Sequence, residues 1–406
     1  MLKLFSAVIA LLLALFLGSC GGGSSASPPS SLTVTAGDTS VVVNFTATSG
    51  VTYWLFYAPG STINCTDAGS ITGYTIVPGI TVPYTLPSLS NGTAYSFGIN
   101  ARTNGGPGGA CTTLTSVTPR LAGTKTTSNT VPWVASTAVS ANSLNGETYG
   151  STFVAVGANG LIYNSSNAVS YTSVTSPITT NLNGVAFFNS QYTAVGDSGK
   201  ILTSTDATTW TAQTSGTTNK LNAIAGNSSL YVAVGASGTI LTSTNGTTWT
   251  ARVSGTTNEL FGVALTNSQW TAVGASGTVL TSADGTTWTT VVSNTTSALS
   301  AATYGTSTAT NAGIYVISGA SGTLLTSTDG TTWTKLTGLA TTNNLNSIIY
   351  STQFIAVGDT GTVITSTDGV TWTLQTAVTA ANLKTITVGS YIYSALGAAG
   401  ANILAK

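Results

Sequence analysis

Histidine is missing from all 406 residues, which removes the commonest general base and the commonest metal ligand. Charge is nearly missing as well. Lys, Arg, Asp and Glu make up 5% of the chain and sum to a net charge of zero, where an ordinary protein carries about a quarter. Only three arginines and two glutamates occur. A chain so poor in cations cannot neutralise a phosphate backbone, so nucleic acid is not expected as a partner. Cysteine is limited to three residues and methionine to one. Thr, Ser, Asn and Gly must therefore supply the surface. Disorder does not follow from this polarity, because 42% of the residues are hydrophobic and they recur with a fixed period.

The N-terminus points to export. Lys3 is followed by an apolar run from Leu4 to Leu17, short for a membrane-spanning helix and typical of a signal peptide, expected over 1–19. Leu17-Gly18-Ser19-Cys20 resembles the lipobox of bacterial lipoproteins. The resemblance implies cleavage before Cys20, lipidation of that cysteine and a cell-envelope location. Gly21 in place of Asp implies the outer membrane in a Gram-negative cell. The Gly/Ser/Pro-rich stretch to Ser31 reads as a flexible tether over 20–31. Cys65 and Cys111 then remain as a pair. In an oxidising compartment a disulfide is the natural outcome, two free thiols being the alternative.

Residues 32–120 alternate apolar and polar positions in short stretches rich in β-branched and aromatic residues, as strands do. Leu89-Ser90-Asn91-Gly92-Thr93-Ala94-Tyr95, with Phe97, Ile99 and Ala101 after it, resembles the strand-opening motif of fibronectin type III domains. That implies a β-sandwich in which the Tyr95 hydroxyl bonds back to the preceding loop. Phe45 stands where the family usually has Trp.

Residues 125–406 are repetitive. The glycine that closes a Val-x-Val-Gly-like segment falls at 157, 196, 235, 274, 319, 358 and 397, and Trp210, Trp249, Trp288, Trp333 and Trp372 follow the same rhythm. Both series step by 39 residues, with a single step of 45 in the fifth unit. Each unit holds four strand signals separated by turns such as Asn245-Gly246 and Asp329-Gly330. These dipeptides predict tight hairpins with positive φ at both central residues. Four antiparallel strands in about forty residues is a propeller blade. The seventh unit ends after its third strand, whereas Trp133 lies one repeat before Tyr171, which holds the Trp position of unit one. The spacing therefore predicts a seven-bladed β-propeller closed by an N-terminal strand that carries Trp133 and leaves no open edge. A transmembrane barrel would need two aromatic girdles instead of one Trp per unit. A β-helix would need shorter coils.

The run Ser327-Thr328-Asp329-Gly330-Thr331-Thr332-Trp333 resembles the Asp-box of sialidase-like propellers, where it is a structural hairpin. Sialidase chemistry itself needs three arginines on one carboxylate, and the repeats hold only Arg252. Glycosidase chemistry needs paired carboxylates, and Glu147 and Glu259 belong to units one and four. No catalytic residue, cofactor or metal is expected. The segment Tyr192 to Asp206, with its copies in units two to six, resembles the photosystem II assembly factor family. That resemblance implies a non-enzymatic binding scaffold with a protein or glycan partner, acting as a monomer. A polysaccharide hydrolase or lyase and a structural adhesion protein are the alternatives. Loops that join strand four to the next strand one share a face with those joining strands two and three. Asp197 and Asp359 stand there where most other units have Ala, and are candidate polar anchors on a binding face; solvated turn aspartates are the other reading.

Overall fold

The computed structural model describes residues 24–29, 32–37, 40–60, 63–65, 71–90, 93–117, 133–390 and 392–405. The signal segment and the lipidation candidate Cys20 lie outside these. The chain divides into two compact units, residues 1–124 and 125–406.

The first unit is all-β. Strands Ser25–Ala26, Tyr95–Thr103, Val51–Pro59 and Thr75–Ile80 form one sheet, in which Thr112–Val117 also pairs with Tyr95–Thr103. Thr33–Gly37, Ser40–Asn44 and Tyr84–Leu86 form a second sheet. Val41, Val43, Leu55, Phe97 and Ile99 are fully buried in their shared core. Phe45 packs there too, its ring 4.6 Å from that of Tyr53. The Tyr95 hydroxyl accepts the Ser90 backbone N–H at 3.2 Å. Cys65 and Cys111 form a disulfide, their Cα atoms 5.7 Å apart.

One expectation needs correction here. Ser24 to Pro29, read above as part of a free tether, lies against this sheet. Ser25 pairs with Arg102 and Ala26 with Ala101, the Thr103 N–H donates to the Ser24 carbonyl at 2.9 Å, and Thr112 Oγ1 donates to the Pro29 carbonyl at 2.8 Å. The physical reason is an unfilled edge. Thr112–Val117 pairs with Tyr95–Thr103 only as far as Ile99, so the backbone of Ala101 to Thr103 needs another partner.

The second unit is a ring of seven four-stranded antiparallel sheets. Blade 1 comprises Leu144–Tyr149, Phe153–Gly157, Ile162–Ser165 and Thr172–Val174, called strands a to d from the axis outward. Blades 2 to 6 repeat this plan from Leu182, Leu221, Leu260, Leu299 and Leu345. Strand a of every blade packs against strand a of both neighbours, blade 7 against blade 1 included. Hydrogen-bond ladders stop at strand d of each sheet, so the ring is a propeller and not one closed barrel. Blade 7 consists of Leu383–Gly389, Ile392–Gly397 and Asn402–Ala405, and Val134–Ala135 supplies its strand d. Ala135 pairs with Ile403 and Val134 with Leu404. The closure read from the Trp spacing is thus present. Trp133, 6% exposed, packs on Ile355, Val357 and Val363 of blade 6.

The c–d connections differ from the expected two-residue hairpins. In blade 3, strand c ends at Ser243 and strand d begins at Thr250. Within that loop Gly246 has φ +75°, while Asn245 is not in the left-handed region. Side chains hold it instead. Asn245 Oδ1 accepts the N–H groups of Thr247 and Thr248, each at 2.9 Å. Ser243 Oγ accepts the Gly246 N–H at 2.8 Å. An Asn or Asp that satisfies two backbone donors makes a longer loop as favourable as a tight turn. Asp206, Asp284, Asp329 and Asp368 do the same in blades 2, 4, 5 and 6. In Asp206 and Asp329 the backbone N–H bonds are the main reason the carboxyl is held far below its ordinary range. The Trp that follows closes the motif. Trp249, Trp288 and Trp372 donate Nε1–H to the loop glycine carbonyl at 3.0–3.1 Å, and Trp210 and Trp333 pack beside Tyr192 and Tyr315.

Candidate functional site

The b–c turns and d–a loops do share one face, because they line common grooves. A groove of about 860 Å³ lies on blade 3, walled by Gly216, Thr217 and Asn219 on one side, Ser254 to Asn258 on the other, and Ser237 to Thr239, Arg252 and Val253. The next copy, about 750 Å³, is bordered by Val292, Lys335 and Thr295. A third, about 630 Å³, adjoins Lys200 and Gln213 on blade 2. The walls are rigid by construction. Ser215 Oγ donates to the Thr217 carbonyl at 3.1 Å, and Thr217 Oγ1 accepts the Asn219 N–H at 3.1 Å. Asn219 and Asn258 then donate to Thr239 Oγ1 and Thr278 Oγ1 at 2.9 and 2.8 Å, which ties each loop to the b–c turn of the following blade. Such a surface offers hydroxyls and amides in fixed places, with one cation beside each groove.

Two residues on this face escape notice when attention goes to charge. Val253 and Val292 are 85% and 73% exposed, and each borders a groove. They stand four residues after Trp249 and Trp288, where the other five copies have Thr137, Thr175, Thr214, Thr337 and Thr376. The signal was in the repeat alignment. Two valines interrupt a column of threonines, and both are left in water.

Asp197 and Asp359 stand on b–c turns of this same face. Neither lines any of these three grooves. Asp197 Oδ2 and Oδ1 accept from Asn181 and Asn183, each at 2.9 Å. Asp359 accepts from Asn344 and Asn346 at 2.8 and 2.9 Å. Asn183 and Asn346 pass the interaction on, donating to the Leu221 and Leu383 carbonyls of the next blade at 2.9 and 2.7 Å. In blade 3 the same role falls to Asn222, which donates to Glu259 Oε1 and the Leu260 carbonyl. The aspartates thus orient asparagines that clasp adjacent inner strands. We expect Asp197→Ala to lower stability by about 1.5–3 kcal/mol, the usual worth of hydrogen bonds to a charged group, as read by urea denaturation. A mutant that loses partner binding at unchanged stability would contradict this role.

The two glutamates belong to different blades. Glu147 is buried in strand a of blade 1, whereas Glu259 precedes strand a of blade 4 and lies 3.9 Å from Lys220 Nζ.

No family model matches the chain, and no curated protein matches it. A solved structure does. The structure titled "YCF48 bound to D1 peptide" superposes with a TM-score of 0.57 at 18% identity, covering 68% of this chain and 96% of that one. The shared feature is the propeller. At this identity the likeness concerns architecture, and it spans nearly all of that chain.

Proposed function

We propose that this protein is a non-enzymatic binding scaffold of the cell envelope, held to the outer membrane through lipidated Cys20, whose propeller presents the grooved face of blades 2 to 4 to a protein partner. The exposed Val253 and Val292 beside rigid, hydroxyl-lined grooves carry this reading. An extended peptide fits the surface well. Its backbone would meet the Thr, Ser and Asn groups, and its apolar side chains would meet the valines. The peptide bound in the YCF48 structure supports the same class of ligand. The first unit, read as a fibronectin type III-like spacer, would set the propeller away from the membrane.

The scaffold reading is also supported by the chemistry of the carboxylates. Hydrolysis of a glycosidic bond by the usual route requires two carboxyl groups about 5–10 Å apart across one bond. Glu147 and Glu259 occupy blades three apart around the ring, and the Asp-box-like aspartates are committed to their own loops.

The test is selection of peptides from a random display library on the full chain, with a glycan array and a polysaccharide hydrolysis screen alongside. Selected peptides should bind Val253→Asp and Val292→Asp at least tenfold more weakly, about 1.4 kcal/mol. Binding unchanged by both substitutions would sink the proposed face. Glycan binding or sugar release in place of peptide binding would sink the proposed partner class.

A further inference from the structure

The seam between blade 7 and blade 1 differs from the other six. Three residues after its first leucine, strand a carries Val, Ile or Ala in blades 2 to 7, and Glu147 in blade 1. The Glu147 side chain is 6% exposed. Its Oε1 accepts the hydroxyl proton of Tyr171, the residue that replaces the repeat Trp. Its Oε2 is buried with no partner. Blade 7 carries two further buried polar residues at this seam. Ser394 is fully buried, with its hydroxyl beside the Glu147 carboxyl. Asn402 donates to the Ala168 carbonyl of blade 1 at 2.9 Å, and its Oδ1 is left without a partner. The position of Asn402 is aliphatic in the other six blades.

The connectivity makes this the seam that matters. Strands a to c of every other neighbouring pair of blades are joined along the chain through an intact blade. Blade 7 is joined along the chain to blade 1 through its strand d, whose ladder is the short pairing of Ile403 and Leu404 with Ala135 and Val134, extended by the Ser136 and Val139 N–H groups to the Asn402 and Gly400 carbonyls. Opening the ring therefore means separating strands a to c of blade 7 from blade 1. We propose that this seam is a pH-dependent latch, in which ionisation of Glu147 loosens the closure of the ring.

The chemistry has a definite sign. Neutral Glu147 has an O–H to donate, and on the facing blade Asn402 Oδ1 is an acceptor without a donor. Ionised Glu147 only accepts, so Asn402 Oδ1 stays unpaired in a dry seam beside a buried negative charge. Burial pushes the carboxyl from its ordinary 4.5 up to about 7, opposed by hydrogen bonds from Tyr171 and Ser394. The folded value lies above the unfolded one. The stabilisation it brings is therefore complete below about pH 4.5 and is lost as pH rises through about 7.

The neighbouring titratable groups do not alter that sign. Burial pushes Tyr171 up as well, followed by the charge of Glu147. Tyr163 packs on the same face. The Tyr149 hydroxyl bonds Ser390 Oγ, and that of Tyr393 bonds Thr352 Oγ1. Lys384 is exposed at the start of blade 7, and strand a of blade 2 contains no titratable residue.

Hydrogen–deuterium exchange on the full chain at pH 5.5 and 8.0, corrected for intrinsic rates, tests the latch. Exchange of Asn402–Ala405 and Leu144–Tyr149 should rise at least tenfold between the two pH values, and that of the inner strand of blade 4 should not. Glu147→Gln, an uncharged isostere, should abolish the rise. Glu147→Val should slow exchange at pH 8.0. A rise of equal size in blade 4, or one that survives in Glu147→Gln, would overturn the proposal.

Discussion

Replacing Trp133 with Ala is expected to lower the unfolding free energy of the propeller by about 3–5 kcal/mol, the range for removing a large buried aromatic side chain. Removing residues 133–137 altogether should abolish cooperative unfolding. The indole is 6% exposed and fills the space between blade 7 and Ile355, Val357 and Val363 of blade 6. Next to it, Val134 and Ala135 cover the backbone of Ile403 and Leu404, and the Ser136 N–H donates to the Asn402 carbonyl at 2.8 Å. Without that strand, blade 7 has three strands and an exposed ladder edge, a template for pairing with another chain. Urea denaturation followed by tryptophan fluorescence, with light scattering for aggregation, measures both effects. Trp249, only partly buried although it holds the same place in blade 3, is the internal comparison, and Trp249→Ala should cost less. A loss below about 1 kcal/mol for Trp133→Ala, the size of an ordinary surface-to-core change, would contradict the closure.

The closing strand was legible because propeller geometry is written as a period. A Trp 38 residues before Tyr171 has one place to go once the last unit is a strand short. The number and order of blades follow from the same arithmetic. The hairpins were legible in position but not in kind. Asp-Gly and Asn-Gly mark where strand c ends, yet the loop conformation depends on which backbone N–H groups the Asp or Asn side chain accepts, and residue identity alone leaves that open. The latch residues were the least visible. Glu147 reads as an isolated acid in a strand, and the groups it meets, Ser394 and Asn402, lie some 250 positions away in sequence. Only closure of the ring brings them together. The partners of Asp197 and Asp359 were not legible in the sequence either. The unusual charge in each turn is held by asparagines of its own blade, and Asn145 and Asn222 make the same bond to the next blade without an Asp beside them.

Gly235→Ala is expected to cost about 3 kcal/mol, at the upper end of overpacking effects, although Ala is a good residue for most extended backbones. The glycine does not have an unusual conformation, with φ −172° and ψ −155°. Space is what it lacks. A Cβ here would lie 1.9 Å from the Lys220 carbonyl oxygen and 2.9 Å from Leu221 Cα. The cause is the bulge that opens strand a, where Leu221 faces Gly235 but Ala223 faces Val234, turning the chain so that the Lys220 carbonyl accepts the Ala236 N–H at 2.9 Å. The same contact recurs at Gly157, Gly196, Gly274, Gly319, Gly358 and Gly397, at 1.9–2.4 Å from the preceding carbonyl in all seven cases. That is why this glycine keeps the beat of the repeat. Gly216→Ala is the control, since φ there is +77° with open space around the added carbon, and the left-handed backbone alone should cost about 1 kcal/mol. Thermal and urea unfolding of the two variants separate collision from conformation. Equal losses would mean that the bulge yields, and the glycine ladder would then mark a backbone preference instead of a steric lock between strands a and b.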